Sequence, residues 1–377
     1  MKAEPLSVCE KRREDLYDWM AGEGTHLVMI EDCEGRRNPA IRWLSGQPGD
    51  ALLFLSADRR SVLVPWDINI AMLHAEADAL IPYAEFERRP VRALQGAVDR
   101  LGIPKGSRIE IPASTSYPRF LNYVEELSDF DIICSEGGVW AELEKRRAVK
   151  DEAEIKIYRK VSAMTDEIIG LLEKNIRAGS LKTETDVAHF IDRESRGMGC
   201  EGAGFETIAA GPARSFAIHA FPAYTGEPFG GSGLSILDFG LTYAGYTSDV
   251  TLTVAGEPLS KAQEKMLSLT EKAYKLAVSM VKNGIPAKDI GMTVDAFFAR
   301  HKKPMPHALG HGIGLQAHEA PSLRGRADND WILEPGMIIA VEPGIYDPAH
   351  GGCRLENDIL ITENGAEALT NSRIIRL

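Results

Sequence analysis

Hydrophobic residues recur with a helical period in the middle of the chain. From Ile155 to Leu171 they stand three or four positions apart, which predicts one long amphipathic helix. Two further helices are predicted to begin after Thr183 and after Ser260, because each residue has the spacing of a capping box with an acidic or amide residue three positions later. The middle of the chain is therefore predicted to be helical.

Short aliphatic and β-branched runs predict strands on both sides of these helices. Residues 52–55 and 62–64 flank a polar turn and predict a hairpin in an α/β layer. The other predicted strands are 108–111 and 130–134 in the first part, and 234–239, 247–254, 337–341 and 355–362 in the second. All the polar residues with candidate chemistry lie on or beside the second set.

A domain boundary is predicted near residue 150. The chain has 377 residues, which is more than one ordinary domain contains. The charged stretch that begins at Glu142 has no apolar periodicity and comes directly before the long helix. We therefore predict an α/β domain over residues 1–150 and a second domain over residues 151–377.

Composition excludes several classes of protein. The apolar share of 44% and the charged share of 26% are those of a folded globular chain. The net charge of -12 offers no basic surface for a nucleic acid or an anionic membrane. No apolar run reaches the ~18 residues of a membrane span, and the N-terminus is charged where a signal peptide is apolar. Five scattered cysteines form no C-x-x-C pair, so a cytoplasmic protein without a disulfide framework is expected.

Two aspartates stand in a predicted strand pair. Residues 235–251 form two strands around a turn at 243–245, and pairing them about the point between residues 243 and 244 sets Asp238 opposite Asp249. Opposed residues of an antiparallel pair have Cβ atoms ~4.5–5.5 Å apart, close enough for two carboxylates to hold one ion or bridge two. Without an ion, like charges in that position are destabilising. The alternative is that both carboxylates point to solvent.

Three histidines follow in a glycine-rich frame. His307, His311 and His318 lie within one short segment whose glycines let the backbone approach a ligand closely. The alternative is that they are satisfied core histidines. His307 and His311 have the H-x-x-x-H spacing of zincins, but no catalytic Glu lies between them and the glycines argue against a helix, so a zincin site is rejected.

Two glutamates complete an oxygen-rich set. Glu342 and Glu356 each stand at the edge of an apolar strand, where burial without a partner costs several kcal/mol. A metal removes that cost, and this mixture of carboxylates with one imidazole suits Mn, Co, Fe or Zn. Four carboxylates exceed the needs of one catalytic zinc, so two divalent ions are predicted. The predicted ligands are Asp238, Asp249, His311, Glu342 and Glu356.

Five motifs in order make the second part similar to the pita-bread metallopeptidases, the group of creatinase, prolidase, aminopeptidase P and methionine aminopeptidase. The motifs are LDFG…SD, HALGHGIG, HE-x-P, VEPGIY and GCRLEND. The resemblance implies an α+β fold, with a curved antiparallel sheet in the C-terminal pita-bread domain and a smaller α/β creatinase-type domain before it. The N-terminal domain favours prolidase and aminopeptidase P within the group.

The family's metal ligands fall on the same five residues. By the same resemblance His219 and His318 face the substrate, His307 and Arg354 lie behind the ligands, and Glu342 also acts as general base. The family commonly has Thr-Arg-Thr after the second aspartate, whereas this chain has Leu252 at the central position.

The function implied is hydrolysis of an Xaa-Pro bond in a dipeptide or at the N-terminus of a short peptide. Two divalent ions, with manganese first and Co, Zn or Fe as alternatives, would lower the pKa of water, and His219 and His318 would stabilise the oxyanion. The resemblance also implies a homodimer. The alternative is a metal-dependent hydrolase of another small amide, such as a cyclic amino-acid derivative, which the Leu252 departure keeps open.

Overall fold

The computed structural model describes residues 6–377, so the start of the charged N-terminal segment, Met1 to Pro5, lies outside the described residues. Two compact units make up the chain; the first ends at Glu144 and the second is Lys145–Leu377. Among the described residues, no helix has both the length and the apolar character needed to cross a membrane.

The N-terminal unit is built on a six-stranded mixed sheet with the order β4-β3-β2-β1-β5-β6. The predicted hairpin is confirmed, since β2 and β3 pair antiparallel with Ser56 opposite Arg60. The strands are β1 Leu27–Asp32, β2 Ala51–Ser56, β3 Arg60–Pro65, β4 Ala79–Leu80, β5 Arg108–Glu110 and β6 Asp131–Ile133. The helices are α1 Val8–Glu23, α2 Ala40–Ser45, α3 Ile68–His74, α4 Pro90–Leu101 and α5 Tyr117–Glu126, with a 3₁₀ turn at Tyr83–Phe86.

Helix α6, Val139–Ala148, occupies the charged stretch for which the sequence predicted no element. Its acidic residue Glu142 lies in the first turn, and Lys145, Arg146 and Arg147 lie in the last. This distribution complements the helix dipole and stabilises a helix that has no strong apolar face. Apolar periodicity alone therefore missed it.

Four helices cover the strands of the C-terminal unit. They are α7 Glu152–Arg177, α8 Glu184–Gly197, α9 Lys261–Met280 and α10 Ala287–Arg300. The predicted caps are confirmed, because the hydroxyls of Thr183 and Ser260 each accept a hydrogen bond from the backbone three residues on and both capping boxes are complete.

The strands of this unit form four sheets. Their orders are β11-β10-β7, β20-β12-β9-β8, β14-β13-β15-β18-β19 and β16-β17. The strands are β7 Gly202–Ala203, β8 Ile208–Ala210, β9 Gly233–Phe239, β10 Leu241–Tyr243, β11 Tyr246–Thr247, β12 Val250–Gly256, β13 Gly310–Gly312, β14 Glu319–Ser322, β15 Ile338–Val341, β16 Gly344–Asp347, β17 Gly351–Arg354, β18 Asn357–Thr362, β19 Gly365–Ala368 and β20 Ile374–Arg376.

Both faces of the central strands are buried. Ile339 on β15 packs in a core cluster with residues of α9 and α10, whereas its neighbour Ile338 packs in a second cluster with residues of α7 and α8. Because successive side chains of a strand point to opposite faces, the strands lie between two layers of helices. This explains their continuous apolar runs.

The register predicted for the two aspartates is wrong by two residues. Asp238 on β9 pairs with Thr251, and Phe239 pairs with Val250. The turn is two residues long, Ala244 and Gly245, and both have positive φ, of 49° and 86°. Such a turn matches the strand twist and sets the pairing that follows. An offset of two keeps Asp238 and Asp249 on the same side, as diagonal neighbours instead of opposite ones.

Glycines beside His311 permit a close approach of neighbouring strands. A Cβ on Gly310 would lie 1.9 Å from the carbonyl oxygen of Ala340, and one on Gly312 would lie 1.9 Å from that of Ala320. Real Cβ atoms do not come so close to a backbone oxygen, so β13 can be seated between β14 and β15 only with glycine at these positions.

Gly312→Ala is expected to lower the free energy of unfolding by about 2 kcal/mol or more, because backbone must move to admit the methyl group. Gly170→Ala is the control, since this exposed glycine of α7 has open space around its Cα and the change raises helix propensity. Urea unfolding of both variants checks this. A Gly312→Ala variant as stable as the wild type would contradict it.

Candidate metal centre and active site

Three side chains from different elements meet in the C-terminal unit. Asp249 stands directly before β12, His311 is the central residue of β13, and Glu356 lies between β17 and β18. One potential ligand atom from each lies within 4.8 Å of the others. Two carboxylates and an imidazole at this separation can hold a divalent cation.

Glu342, which follows β15, lies beside this group. Its Oε1 is 3.7 Å from His311 Nε2, and Asp249 Oδ2 is 3.8 Å from the same nitrogen. The other ring nitrogen, Nδ1, donates to the carbonyl oxygen of Gly312 at 3.1 Å. This bond fixes the tautomer and leaves Nε2 unprotonated toward the carboxylates. Burial lowers the pKa of His311 to about 4, so the ring is neutral near pH 7.

Asp238 is held at one side of the site by Arg354. Its Oδ2 accepts from Arg354 Nη2 at 2.6 Å, and Arg354 Nε donates to the hydroxyl of Thr251 at 2.9 Å. The other oxygen, Asp238 Oδ1, is buried and has no hydrogen-bond partner. A buried carboxylate oxygen without a partner is costly, and a cation in the site would satisfy it. The donor set therefore fits a metal.

Burial and mutual repulsion disfavour the charged form of these carboxylates. Burial, followed by repulsion from Glu356 and Asp238, raises the pKa of Asp249 well above its usual value. Burial and then repulsion from Glu342 do the same to the pKa of Glu356. Burial raises the pKa of Glu342 to about 8, although Arg354 opposes the shift. The charged forms of these enclosed carboxylates are therefore costly by themselves, and a bound cation would favour them.

A hydrogen-bond network continues from Arg354 to His307 through Tyr346. Arg354 Nη1 donates to the Tyr346 hydroxyl at 2.8 Å, and that hydroxyl donates to His307 Nε2 at 2.9 Å. His307 Nδ1 donates to the carbonyl oxygen of Ala308 at 2.8 Å. Sequence reasoning quoted the motif VEPGIY but did not select Tyr346, because a tyrosine at the end of a strand is a common core residue.

His219 and His318 lie across a cavity of about 590 Å³ that the acidic residues also line. The His318 ring centroid is 4.2 Å from that of His311. The backbone before His219 is tied to the site, because Arg354 Nη1 donates to the carbonyl oxygen of Ile218 at 3.0 Å. Apolar side chains form another part of the wall: Phe205, Ile208, Ile218, Ala220, Phe221 and Ala223.

All nine residues selected from the sequence lie at this one place. Eight line the cavity, and Arg354 reaches it through its bond to Asp238. The tight group of three excludes Asp238 and Glu342, which border it. Leu252, where the chain departs from Thr-Arg-Thr, is fully buried in the core cluster that contains Leu237. The departure therefore lies in the core and not in the cavity wall.

Glu319, beside His318, is another residue that sequence reasoning missed. Its carboxylate forms ion pairs with Arg147 and, at 3.5 Å, with Lys150. Its place in the HE-x-P motif was the available signal. Its partners stand about 170 positions earlier in the sequence, and no local pattern connects them with it.

Comparisons with known proteins identify relatives of this chain. Residues 156–363 match metallopeptidase family M24. The Xaa-Pro dipeptidase of Pyrococcus horikoshii is 31% identical over 374 residues, which cover 97% of this chain and 99% of the relative. An uncharacterized peptidase of Bacillus subtilis, YqhT, is 34% identical over 69% of this chain and 71% of its own length.

Solved structures of similar proteins identify the fold. The X-Pro aminopeptidase of Thermotoga maritima superposes with a TM-score of 0.84 and 26% identity, covering 97% of this chain and 99% of that chain. The prolidase of Pyrococcus horikoshii OT3 superposes with a TM-score of 0.81 and 25% identity, covering 96% and 98%. The predicted α+β pita-bread class is thereby confirmed. The chain belongs to metallopeptidase family M24, whose members use divalent metal ions to hydrolyse peptides.

Proposed function

We propose that this protein hydrolyses the Xaa-Pro bond of dipeptides or at the N-terminus of short peptides. The observation that carries the proposal is a buried group of carboxylates around His311 that lines a cavity together with apolar side chains. The similarity to an Xaa-Pro dipeptidase and to an X-Pro aminopeptidase supports this choice of substrate.

Two divalent ions are proposed, held by Asp238, Asp249, His311, Glu342 and Glu356. Four carboxylates exceed the needs of one ion, and the partnerless oxygen of Asp238 supports a donor set larger than the tight group of three. Manganese is the first candidate, with Co, Zn or Fe as alternatives, because oxygen-rich sites with one imidazole suit these ions. When bound, the ions supply Lewis acidity that polarises the scissile carbonyl and activates water.

The proposed base is Glu342. Its carboxylate borders both His311 and His307, at 3.7 and 3.8 Å, and it lines the cavity where substrate would lie. From there it can accept a proton from the attacking water and return one to the leaving nitrogen. The proposed base is thus held between two histidines whose tautomers are fixed by backbone carbonyls.

His318 and His219 are proposed to bind the substrate carbonyl. Both line the cavity, and an imidazole N–H there can donate to the oxygen on which negative charge develops. His307 is assigned to positioning, because its Nε2 is occupied by Tyr346 and its Nδ1 by Ala308. Arg354 is likewise assigned to positioning, through its bond to Asp238.

The apolar wall suits a proline ring. A peptide bond to proline carries no N–H, so such a substrate cannot be held by strand-like pairing and depends on carbonyl contacts and a shaped apolar surface. Phe205, Ile208 and Ile218 provide that surface, and Phe221 stands at its rim with 95% of its surface exposed. The resemblance also leads us to propose a homodimer.

The alternative substrate, another small amide, has no structural support of its own. The sequence feature that kept it open is Leu252, whose side chain lies in the core cluster instead of the cavity.

Manganese-loaded protein is expected to release the first residue from Ala-Pro and from Ala-Pro-Ala, with kcat/KM at least about tenfold above the matched peptides in which alanine replaces proline. One well-fitted apolar contact typically gives a discrimination of ~10–200-fold. Chromatography of the released amino acid measures it. Equal cleavage of both series would overturn the assignment to proline peptides, and the dipeptide-to-tripeptide ratio separates a dipeptidase from an aminopeptidase.

Asp249→Ala and Glu356→Ala are each expected to abolish hydrolysis while the protein still folds, because a ligand is lost and the apolar core is untouched. Addition of Mn²⁺ should raise the Tm of the wild type but not that of either variant, since binding to the native state stabilises it. The control is Glu363→Ala, an exposed carboxylate in the turn after β18. Near-normal turnover with full metal occupancy in either variant would refute the ligand assignment.

His318→Ala is expected to retain metal and to lose rate by roughly 10²–10³, the typical effect of removing one oxyanion donor. Metal content by elemental analysis and kcat on Ala-Pro-Ala test the two parts separately. Loss of metal from this variant would instead make His318 a ligand.

A further inference from the structure

The His318 imidazole has no hydrogen-bond partner among residues 6–377 in the structure. It contacts the His311 ring and faces the cavity, but no neighbouring group fixes its orientation. A residue that must meet a substrate oxygen needs a defined position, because a displacement of 1 Å can cost ~10²-fold in rate. The position of this ring is therefore set by the backbone that carries it.

That backbone is held in place by the carboxylate of Glu319, the residue after His318. Glu319 Oε1 accepts the backbone N–H of Gln316 at 3.1 Å, which closes a short loop around Ala317 and His318. The same carboxylate lies against Gly314, where an added Cβ would be 2.3 Å from Glu319 Oε2. The loop that presents His318 is thus folded around the Glu319 side chain.

Two cations from the segment before α7 hold this carboxylate. Arg147 Nη2 donates to Oε1, and Lys150 Nζ lies 3.5 Å from Oε2 while also donating to the carbonyl oxygen of Ala148 at 3.2 Å. The exposed fractions of the side chains are 13% for Arg147, 1% for Lys150 and 6% for Glu319. Burial alone would raise the pKa of Glu319, but Arg147 and Lys150 lower it, so the carboxylate is charged.

A buried ion cluster of this kind is not explained by stability. Desolvation of ions costs several kcal/mol each, and apolar side chains of similar volume often serve stability as well or better. The cluster instead fixes the position of the Glu319 carboxylate, because an arginine and a lysine contact it from two directions. The loop around His318 takes its position from that carboxylate.

We propose that Arg147, Lys150 and Glu319 are positioning residues that hold the His318 imidazole at the cavity. None of the three lines the cavity, and their ion pairs are with one another. Their effect is on rate, through the loop 314–319. The inference rests on the proposed role of His318 in binding the substrate carbonyl.

Double-mutant cycles test the proposal. Arg147→Met keeps the aliphatic stem and removes the charge, and it is expected to lower kcat on Ala-Pro-Ala by about tenfold, a fraction of the ~10²–10³ that one oxyanion donor supplies. KM and metal content should stay near wild-type values. In the His318→Ala background the same change should have no further effect on kcat, because the group that it displaces is gone. An equal loss in both backgrounds would overturn the proposal.

Matched variants separate positioning from general destabilisation. Arg159→Met is the control, because Arg159 pairs with Glu367 on the surface, where the two side chains are 55% and 42% exposed; its kcat should be unchanged. Arg147→Lys should recover part of the lost rate. Glu319→Gln keeps the size of the side chain and an oxygen for the Gln316 N–H, and it provides a second test if Arg147→Met does not fold.

A measurement independent of catalysis distinguishes failure of this inference from failure of the proposed function. In protein with ¹⁵N-labelled histidine, the ring signals of His318, assigned by their loss in His318→Ala, should shift or broaden in Arg147→Met and in Glu319→Gln. The signals of His26, in the N-terminal unit, should not change. Unchanged His318 signals would overturn the positioning role, whatever the substrate; absence of Xaa-Pro cleavage by the wild type would overturn only the proposed function.

Discussion

The concentration of buried negative charge is the constraint on which the C-terminal unit depends. Asp249 and Glu356 are almost fully enclosed. Burial raises the pKa of both, and repulsion adds to it, from Glu356 on Asp249 and from Glu342 on Glu356. Among residues 6–377, the guanidinium that bonds directly to the group is that of Arg354, and its bond is to Asp238. Ionised carboxylates packed this closely in a low-dielectric interior need cations. The site is therefore built for metal before any substrate is considered.

Strand β12 contributes both to the charged site and to the apolar core. On β12, Thr251 bonds to Glu356 and Arg354, whereas its neighbour Leu252 packs in the core. Behind Asp249, the carboxylate of Asp358 accepts its backbone N–H at 3.1 Å. Each acidic group is thus fixed by polar contacts on one face of a strand whose other face is apolar. Packing of the core and geometry of the site are consequently set by neighbouring residues of the same strand.

The candidate ligands could be selected from the sequence because each is an acidic or imidazole residue within or beside an apolar run. Burial of such a residue costs free energy unless a partner, such as a metal ion, compensates for it. The register between Asp238 and Asp249 could not be predicted, since it depends on where the turn is centred, and the centre lies between Ala244 and Gly245 with the non-glycine residue Ala244 at positive φ. Helix caps at Thr183 and Ser260 were predicted because they are local. Contacts such as Arg147 with Glu319 were not, because they join distant segments.

The glycines around His311 are needed for the close packing of neighbouring strands. The sequence suggested that they let the backbone approach a ligand, but Gly310 and Gly312 face the carbonyl oxygens of adjacent strands at distances that exclude any side chain. They therefore allow β13 to lie close to β14 and β15, and this position of β13 places the ring of His311. Cations act near this site in two different ways. Arg354 bonds to Asp238, a proposed metal ligand, whereas Arg147 and Lys150 form ion pairs with Glu319 beside His318. The first contact bears on the charge that a bound metal would meet, and the second, by our proposal, on the orientation of the His318 imidazole.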